Sequence, residues 1–190
     1  MKVFLDTNVI FPTVMREVIL GLAARGLYQP LWSDRVLEEW ARAAGRLGAE
    51  AELQARGQGA ILNRDFPKAR VVWPPSLEDR LWLPDIHDRH VLAGAIAGSA
   101  DLIVTQNASD FPRNILAEEG LSRIDADGFC MGFMASDPDI TKDVCAQVLA
   151  RAREFGKTDW HMRALLKKAR LPRLAKAVSA QHDDGKNPRA

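Results

Sequence analysis

The chain has 190 residues, of which 47% are hydrophobic and 27% are charged, and its formal net charge is +1. This length suits one domain of ordinary size with a helical extension, and the composition excludes a disordered polyelectrolyte. The charge is unevenly distributed, because residues 1–150 carry 15 Lys and Arg against 21 Asp and Glu, whereas residues 151–190 carry 11 against 4.

Cysteine usage and the apolar segments bear on the cellular compartment. Cys130 and Cys145 are the two cysteines, and their spacing fits neither a disulfide framework nor a cysteine zinc site. The N-terminus reaches Asp6 before a signal-peptide apolar region could form, and the longest apolar stretch, near residues 91–100, is too short to cross a bilayer. We therefore expect a cytoplasmic protein that does not enter a membrane.

Short apolar strands alternate with amphipathic helices through the first two thirds of the chain. The apolar run over residues 3–5 predicts a strand that ends at Asp6, and residues 28–32 predict an edge strand because Pro30 cannot donate to a ladder. This alternation indicates an α/β fold with a mainly parallel sheet. The other predicted elements are helices over 13–25, 34–47, 49–63 and 91–98 and strands over 71–73 and 101–105.

After Asp127 the sequence contains helical patterns only. These helices are predicted over residues 139–153, 158–169 and 172–180. The last ten residues are polar and are predicted to be disordered. We therefore expect a domain over residues 1–126, a helical extension packed on it over residues 127–180, and a disordered tail over residues 181–190.

Three carboxylates are predicted to meet at one edge of the sheet, beyond the carboxyl ends of the strands. Asp6 ends the first strand, and helical projection places Glu39 at the border of the buried arc of its helix. Asp88 extends a buried stripe at a helix N-terminus, where the helix dipole tolerates a carboxylate. The same projection places Glu38 in solvent and His90 on the side of its helix opposite the stripe.

Close carboxylates repel one another strongly unless a cation is bound. No basic partner is evident among Asp6, Glu39 and Asp88, and an all-oxygen site favours Mg²⁺ or Mn²⁺ over zinc. Each acid also has an ordinary interpretation, because an Asp at a strand end or helix start is commonly a cap and a Glu beside a buried arc is commonly solvated. From the residues alone, a metal site and a set of unrelated structural acids are equally supported.

The residues around these acids resemble the motifs of PIN domains. Val3-Phe4-Leu5-Asp6-Thr7-Asn8 resembles their opening hydrophobic-Asp-Thr/Ser-Asn run, and Glu39 resembles their second acid. The segment from Asp85 to Ala95 resembles the Asp-x-x-Asp motif that opens the third-acid helix, and the segment from Leu102 to Phe111 resembles the strand end that follows. Order and spacing match from residue 1 to about residue 126.

The resemblance implies a three-layer α/β/α fold with a mainly parallel central sheet, to which C-terminal helices are added. It implies an endoribonuclease that uses Mg²⁺ or Mn²⁺ to hydrolyse single-stranded RNA, as in VapC-like toxins, which a cognate antitoxin blocks, and it leads us to expect a homodimer. Asp6, Glu39 and Asp88 would hold the metal, Thr105 would orient them by hydrogen bonding, and Asn8 would support Asp6.

One position departs from the motif. Asn107 stands where the fourth acid of the family is commonly Asp, and an amide is an uncharged and weaker ligand. Asp110, three residues later, is the alternative fourth catalytic acid. A catalytically weak PIN-fold module that binds RNA or serves assembly is therefore the alternative function.

The basic end of the chain is a candidate surface for RNA or for a partner. Lys167, Lys168 and Arg170 could bind RNA phosphates, and Trp160 could stack on a base. A solvated helix face, or a surface for an acidic partner segment, is an equally good interpretation. The remaining tryptophans are interpreted as core or interface anchors rather than stacking residues; they are Trp32, Trp40, Trp73 and Trp82.

Overall fold

The computed structural model describes residues 1–156 and 158–183, and in it the chain divides into two compact units. The first unit comprises Met1–Phe11 and Tyr28–Asp125, and the second comprises Pro12–Leu27 and the described residues from Ala126 onward. The tail predicted to be disordered over residues 181–190 lies outside the described residues from position 184.

Helices and strands alternate in the order that an α/β fold requires. The elements are β1 (Lys2–Leu5), α1 (Thr7–Ile10), α2 (Thr13–Ala24), β2 (Gln29–Leu31), α3 (Asp34–Gly45), α4 (Ala49–Asp65), α5 (Pro75–Asp79), a 3₁₀ turn (Ile86–Asp88), α6 (Arg89–Ala97), β3 (Leu102–Val104), α7 (Arg113–Glu118), β4 (Ser122–Ile124), α8 (Ala126–Ser136), α9 (Pro138–Phe155), α10 (Met162–Lys168) and α11 (Pro172–Asp183). No helix in the described residues combines the length and apolar character that crossing a membrane requires.

The first unit is built on a four-stranded sheet in the order β2-β1-β3-β4, in which every neighbouring pair is parallel. The architecture confirms the predicted three-layer α/β/α class with a mainly parallel sheet. Pro30 lies in β2, which pairs with β1 on one side only, so its missing N–H removes no ladder hydrogen bond from the sheet interior.

The core of the first unit lies on the central strand and the helices against it. Val3, Phe4 and Leu5 of β1 are completely buried, as expected for a central strand of a parallel sheet. Trp32 is also completely buried, and its indole N–H donates to Oδ1 of Asn63 at 2.8 Å. A buried indole requires such a partner, and the predicted core role of Trp32 is therefore confirmed.

The sequence-based expectations are wrong mainly where elements are short. Residues 71–73 form no strand, and Arg70 instead makes an isolated parallel bridge with Trp32. β4 was not predicted because three residues are too few to show an alternating pattern. The helix predicted over residues 158–169 begins only at Met162, and α8 was missed because its apolar residues show little helical periodicity.

In its described part the second unit consists of the helices α2, α8, α9, α10 and α11. Asp127 of α8 is 5% exposed, and its carboxylate accepts hydrogen bonds from the backbone N–H groups of Arg173 at 2.9 Å and Leu174 at 3.0 Å. These N–H groups belong to the first turn of α11, where a helix leaves them without intrahelical partners. The Asp127 carboxylate therefore fixes the start of α11.

Gly94 of α6 lies where this helix approaches the central strand most closely. A Cβ atom built on Gly94 would lie 2.5 and 2.6 Å from ring atoms of Phe4 and 3.0 Å from the ring of Trp73. We expect Gly94→Ala to lower the free energy of unfolding by about 1–3 kcal/mol, because the buried Phe4 ring must move.

The matched control for this variant is Gly57→Ala in α4, where an added Cβ would meet no atom within 4 Å. That substitution should raise the free energy of unfolding by about 0.5–1 kcal/mol, because alanine loses less backbone entropy in a helix. Urea denaturation measures both variants, and equal stability of the two would contradict the close approach at Gly94.

Candidate metal centre

Asp6 follows the central strand β1 and begins α1, and it is 4% exposed. Its Oδ2 atom accepts hydrogen bonds from Oγ1 of Thr105 at 2.6 Å and from the side-chain amide of Asn8. Burial raises the pKa of the Asp6 carboxyl, and the hydrogen bonds from Thr105, Thr7 and Asn8 together with the nearby His90 offset part of that rise. The site therefore contains a buried carboxyl whose negative charge is only partly compensated.

The register of the sheet brings Asp6 and Thr105 together. Leu5 of β1 pairs with Val104 of β3, so the residues that follow these two strands lie at the same edge. This confirms the prediction that Asp6 and Thr105 share the carboxyl edge of the sheet, where ligands of open α/β folds bind.

Asn8 connects Asp6 to the loop after β3. Its amide nitrogen donates to Asp6 and lies 3.2 Å from Oγ1 of Thr105, and its Oδ1 atom accepts a hydrogen bond from the backbone N–H of Gln106 at 2.9 Å. The Thr105 hydroxyl also accepts from the backbone N–H of Asn107 at 3.0 Å. The network holds the start of α1 and the loop after β3 in one arrangement around the Asp6 carboxylate.

Glu39 of α3 is half-buried and has three polar partners. Its Oε2 atom accepts a hydrogen bond from Oγ1 of Thr7 at 2.8 Å, and its Oε1 atom lies 3.0 Å from Nε2 of His90 and 3.4 Å from Nε of Arg35. Burial raises the pKa of Glu39, but the interactions with His90, Thr7 and Arg35 outweigh it and bring the pKa below its usual value. The prediction that no basic partner lies among the acids is therefore wrong.

His90 is 1% exposed and faces Glu39, so its predicted position on the side away from the site is also wrong. Helical projection assumes that one side of a helix meets solvent, whereas all residues from His90 to Ala95 are buried in α6. Glu38, by contrast, is on the outer side of α3 as predicted, where it forms ion pairs with two surface arginines.

Asp85, Asp88 and Asp110 form an acidic cluster with the spacing of metal ligands. Each offers a carboxylate oxygen, and these three oxygens lie within 4.8 Å of one another. Asp85 starts the 3₁₀ turn by accepting a hydrogen bond from the backbone N–H of His87 at 2.8 Å. Asp85 is not among the site residues predicted from the sequence, although the Asp-x-x-Asp spacing places it one turn before Asp88.

Asp88 is the member of the cluster whose pKa responds to the surrounding charges. Burial, followed by the negative charges of Asp6, Asp85 and Asp110, raises the pKa of Asp88 to about 6. Asp6 and Glu39 lie outside the 4.8 Å cluster, but Asp6 is near enough for its charge to act on the pKa of Asp88. The donors present are oxygens, which suits a hard cation such as Mg²⁺ or Mn²⁺.

Asn107 is engaged with its neighbours in the loop after β3. Its amide nitrogen donates to Oδ2 of Asp110, and its Oδ1 atom accepts a hydrogen bond from Oγ of Ser109 at 2.9 Å. Both polar atoms of the Asn107 side chain therefore have partners, and it is Asp110 whose carboxylate lies close to the other acids.

The candidate RNA-binding residues lie in the second unit. Lys167, Lys168 and Arg170 are exposed, and the ammonium of Lys168 lies 4.9 Å from the ring centroid of Trp160, a cation–π distance. One face of the Trp160 ring is therefore covered by Lys168.

Neutralising Asp88 should stabilise the metal-free protein near neutral pH. Because the pKa of Asp88 is raised from 3.8 to about 6, its contribution favours folding at low pH and is lost as the pH rises through about 6. We expect Asp88→Asn to raise the free energy of unfolding by about 1–3 kcal/mol at about pH 7.5 in EDTA.

The difference between Asp88→Asn and wild type should shrink as the pH approaches about 4, where the wild-type carboxyl is protonated in the folded state. Urea denaturation at both pH values gives the comparison. An equal effect at the two pH values would show that the Asp88 pKa is not raised.

Comparison with protein families agrees with this geometry. The family model described as PIN domain matches residues 2–109, a span that includes Asp6, Glu39 and Asp88. Comparison with the curated proteins and with the solved structures gives no match. PIN domains are generally metal-dependent nucleases, and the acidic cluster is compatible with metal binding. Since the match covers more than half of the chain, the protein belongs to the PIN-domain family.

Proposed function

We propose that this protein is a metal-dependent endoribonuclease that hydrolyses phosphodiester bonds of single-stranded RNA. The observation that carries the proposal is the acidic cluster, in which carboxylate oxygens of Asp85, Asp88 and Asp110 lie within 4.8 Å of one another. Burial, followed by the negative charges of Asp6, Asp85 and Asp110, raises the pKa of Asp88 to about 6. A divalent cation relieves such repulsion, and carboxylate-held Mg²⁺ or Mn²⁺ is a common means of activating water against a phosphodiester.

In the proposed centre Asp6, Glu39 and Asp88 hold the metal, and Asp110 takes the place of the fourth acid. When bound, Mg²⁺ or Mn²⁺ supplies a nucleophilic water and neutralises charge on the phosphate. Thr105 orients the Asp6 carboxylate through its 2.6 Å hydrogen bond. This hydrogen bond keeps the Asp6 carboxylate in place before the substrate arrives. Such orientation of a ligand is the usual contribution of a protein to a metal site.

The surface beside the acidic cluster supports an unpaired strand as the substrate. Trp82 and Ile86 are each 58% exposed, so the core alternative predicted for Trp82 is wrong. Trp82 precedes Asp85 by three residues, which places the two Cα atoms at most about 11 Å apart. In the proposed complex the exposed indole of Trp82 stacks on a base close to the phosphate under attack. The bases of a single strand are free to stack in this way.

The order of the motifs also supports a toxin of a toxin–antitoxin pair, acting in the cytoplasm and blocked by a cognate antitoxin, and we propose a homodimer. The exposed Lys167, Lys168 and Arg170, together with the half-buried Trp160 beside Lys168, form the proposed RNA-binding surface of the second unit. We retain the domain over residues 1–126 and the helical extension over residues 127–180 as proposals. The toxin role is tested by expressing the protein alone and together with the product of a small adjacent gene. A toxin should stop growth when expressed alone, and its antitoxin should restore growth.

The alternative function is a catalytically weak PIN-fold module for RNA binding or assembly. It is favoured by one observation, the amide of Asn107 at the position where the family commonly has its fourth acid. Titration with Mn²⁺ separates the two functions, since a weak module would bind RNA but would bind Mn²⁺ no more tightly than about millimolar.

Removal of a proposed ligand should abolish cleavage. Purified protein should cleave single-stranded RNA with Mn²⁺ or Mg²⁺ and lose this activity in EDTA, and Asp6→Asn and Asp110→Asn should each lower kcat by about 100-fold or more. Asp79→Asn is the matched control, because Asp79 is an exposed acid of α5 and its loss should leave kcat unchanged. Cleavage that survives Asp6→Asn would point to a contaminating nuclease or a different site.

Removal of the exposed indole should weaken RNA binding. We expect Trp82→Ala to raise the Kd for a fluorescein-labelled single-stranded RNA by about tenfold in EDTA, and Trp82→Phe to retain most of the affinity. Leu53→Ala is the control, because Leu53 is 71% exposed and lies in α4 rather than beside the cluster. Fluorescence anisotropy measures the three Kd values, and an unchanged Kd for Trp82→Ala would contradict the stacking role.

A further inference from the structure

We infer that His90 is a positioning residue that fixes the Glu39 carboxylate at the metal centre through a hydrogen bond from its Nε2–H group. The inference rests on the proposed function, because positioning Glu39 matters only if Glu39 is a metal ligand. Nothing in the motif order assigns His90 a role, and its side chain neither lies in the acidic cluster nor meets solvent.

The two ring nitrogens of His90 have different surroundings. Nε2 lies 3.0 Å from Oε1 of Glu39, whereas Nδ1 is buried and has no hydrogen-bond partner in the described part of the chain. Buried N–H groups without a partner are rarer than buried acceptors without one. The ring proton therefore belongs on Nε2, where the Glu39 carboxylate accepts it, and Nδ1 is the unprotonated nitrogen.

The hydrogen bonds to Glu39 come from segments that carry two other proposed ligands. Thr7, which donates to Oε2 of Glu39 at 2.8 Å, follows Asp6 directly in the chain. His90, whose Nε2 lies 3.0 Å from Oε1 of Glu39, follows Asp88 by two residues. The two bonds hold the Glu39 carboxylate relative to both Asp6 and Asp88, and such orientation of a ligand commonly determines metal affinity.

Direct ligation of a metal by His90 does not fit this geometry. Its Nε2 atom is occupied by Glu39, and its Nδ1 atom faces a closed interior. Simple filling of the core does not fit either, since an apolar residue would fill the same volume without leaving a buried nitrogen unpaired. The hydrogen bond to Glu39 is the feature of His90 that a hydrocarbon could not supply.

Two substitutions of similar polarity separate positioning from packing. Glutamine can place its amide nitrogen near the position of Nε2 and keep the donor to Glu39, whereas asparagine reaches only to the position of Nδ1. By isothermal titration with Mn²⁺, we expect His90→Asn to weaken binding by about tenfold or more and His90→Gln to lie within about threefold of wild type. In RNA cleavage, His90→Asn should lower kcat at low Mn²⁺ and leave the KM for RNA unchanged.

Undiminished Mn²⁺ affinity in His90→Asn, with the wild type binding normally, would overturn the inference and leave the proposed function standing. Absence of Mn²⁺ binding in the wild type would overturn both. Nitrogen-15 NMR of the histidine rings in the metal-free wild type at about pH 8 tests the hydrogen bond without any variant having to fold. A proton on Nε2 supports the inference, and an unprotonated Nε2 overturns it.

Discussion

The burial of Asp6 at the end of the central strand is the constraint on which the rest of the candidate site depends. β1 lies between two parallel neighbours, so the residue that follows it is placed under the loops of the carboxyl edge. A carboxylate with 4% exposure is unfavourable there unless it is paired. Thr105 and Asn8 donate hydrogen bonds to Asp6, but no cationic side chain in the described part of the chain forms an ion pair with it, and burial keeps its pKa raised.

The acids of the site differ in how far their charge is compensated. Burial raises the pKa of Glu39, but the interactions with His90, Thr7 and Arg35 outweigh it, so the pKa is lowered and Glu39 is ionised without a metal. Burial, followed by the negative charges of the surrounding acids, raises the pKa of Asp88. The repulsion that remains therefore lies between Asp6 and the cluster of Asp85, Asp88 and Asp110. A cation bound there would remove the most repulsion. Such repulsion lowers the stability of the metal-free fold, a cost that active sites commonly carry.

The sequence predicts those parts of the site that follow from local pattern and parallel topology. Asp6 and Thr105 end apolar strands, and parallel strands present their carboxyl ends at one edge, so their meeting could be foreseen. The approach of Asp85 to Asp110 could not be predicted from the sequence, because it depends on a 3₁₀ turn and on a loop, and neither of these shows hydrophobic periodicity. The contact of His90 with Glu39 arises in a helix buried on all sides, where projection carries no information.

Part of the positive charge in the C-terminal part of the chain is compensated by carboxylates of the second unit. Residues 151–190 contain 11 basic residues, but several basic side chains of the second unit are engaged within it: Arg173 pairs with Asp127, and Arg153 pairs with Asp159. Lys168 packs over Trp160, an uncharged partner that leaves the positive charge of Lys168 uncompensated. Cations bound to carboxylates of the same fold attract phosphates weakly, because their charge is already compensated. The basic residues that remain available to RNA phosphates are therefore those on the exposed side of α10 and in the turn that follows it, rather than the whole basic end of the chain.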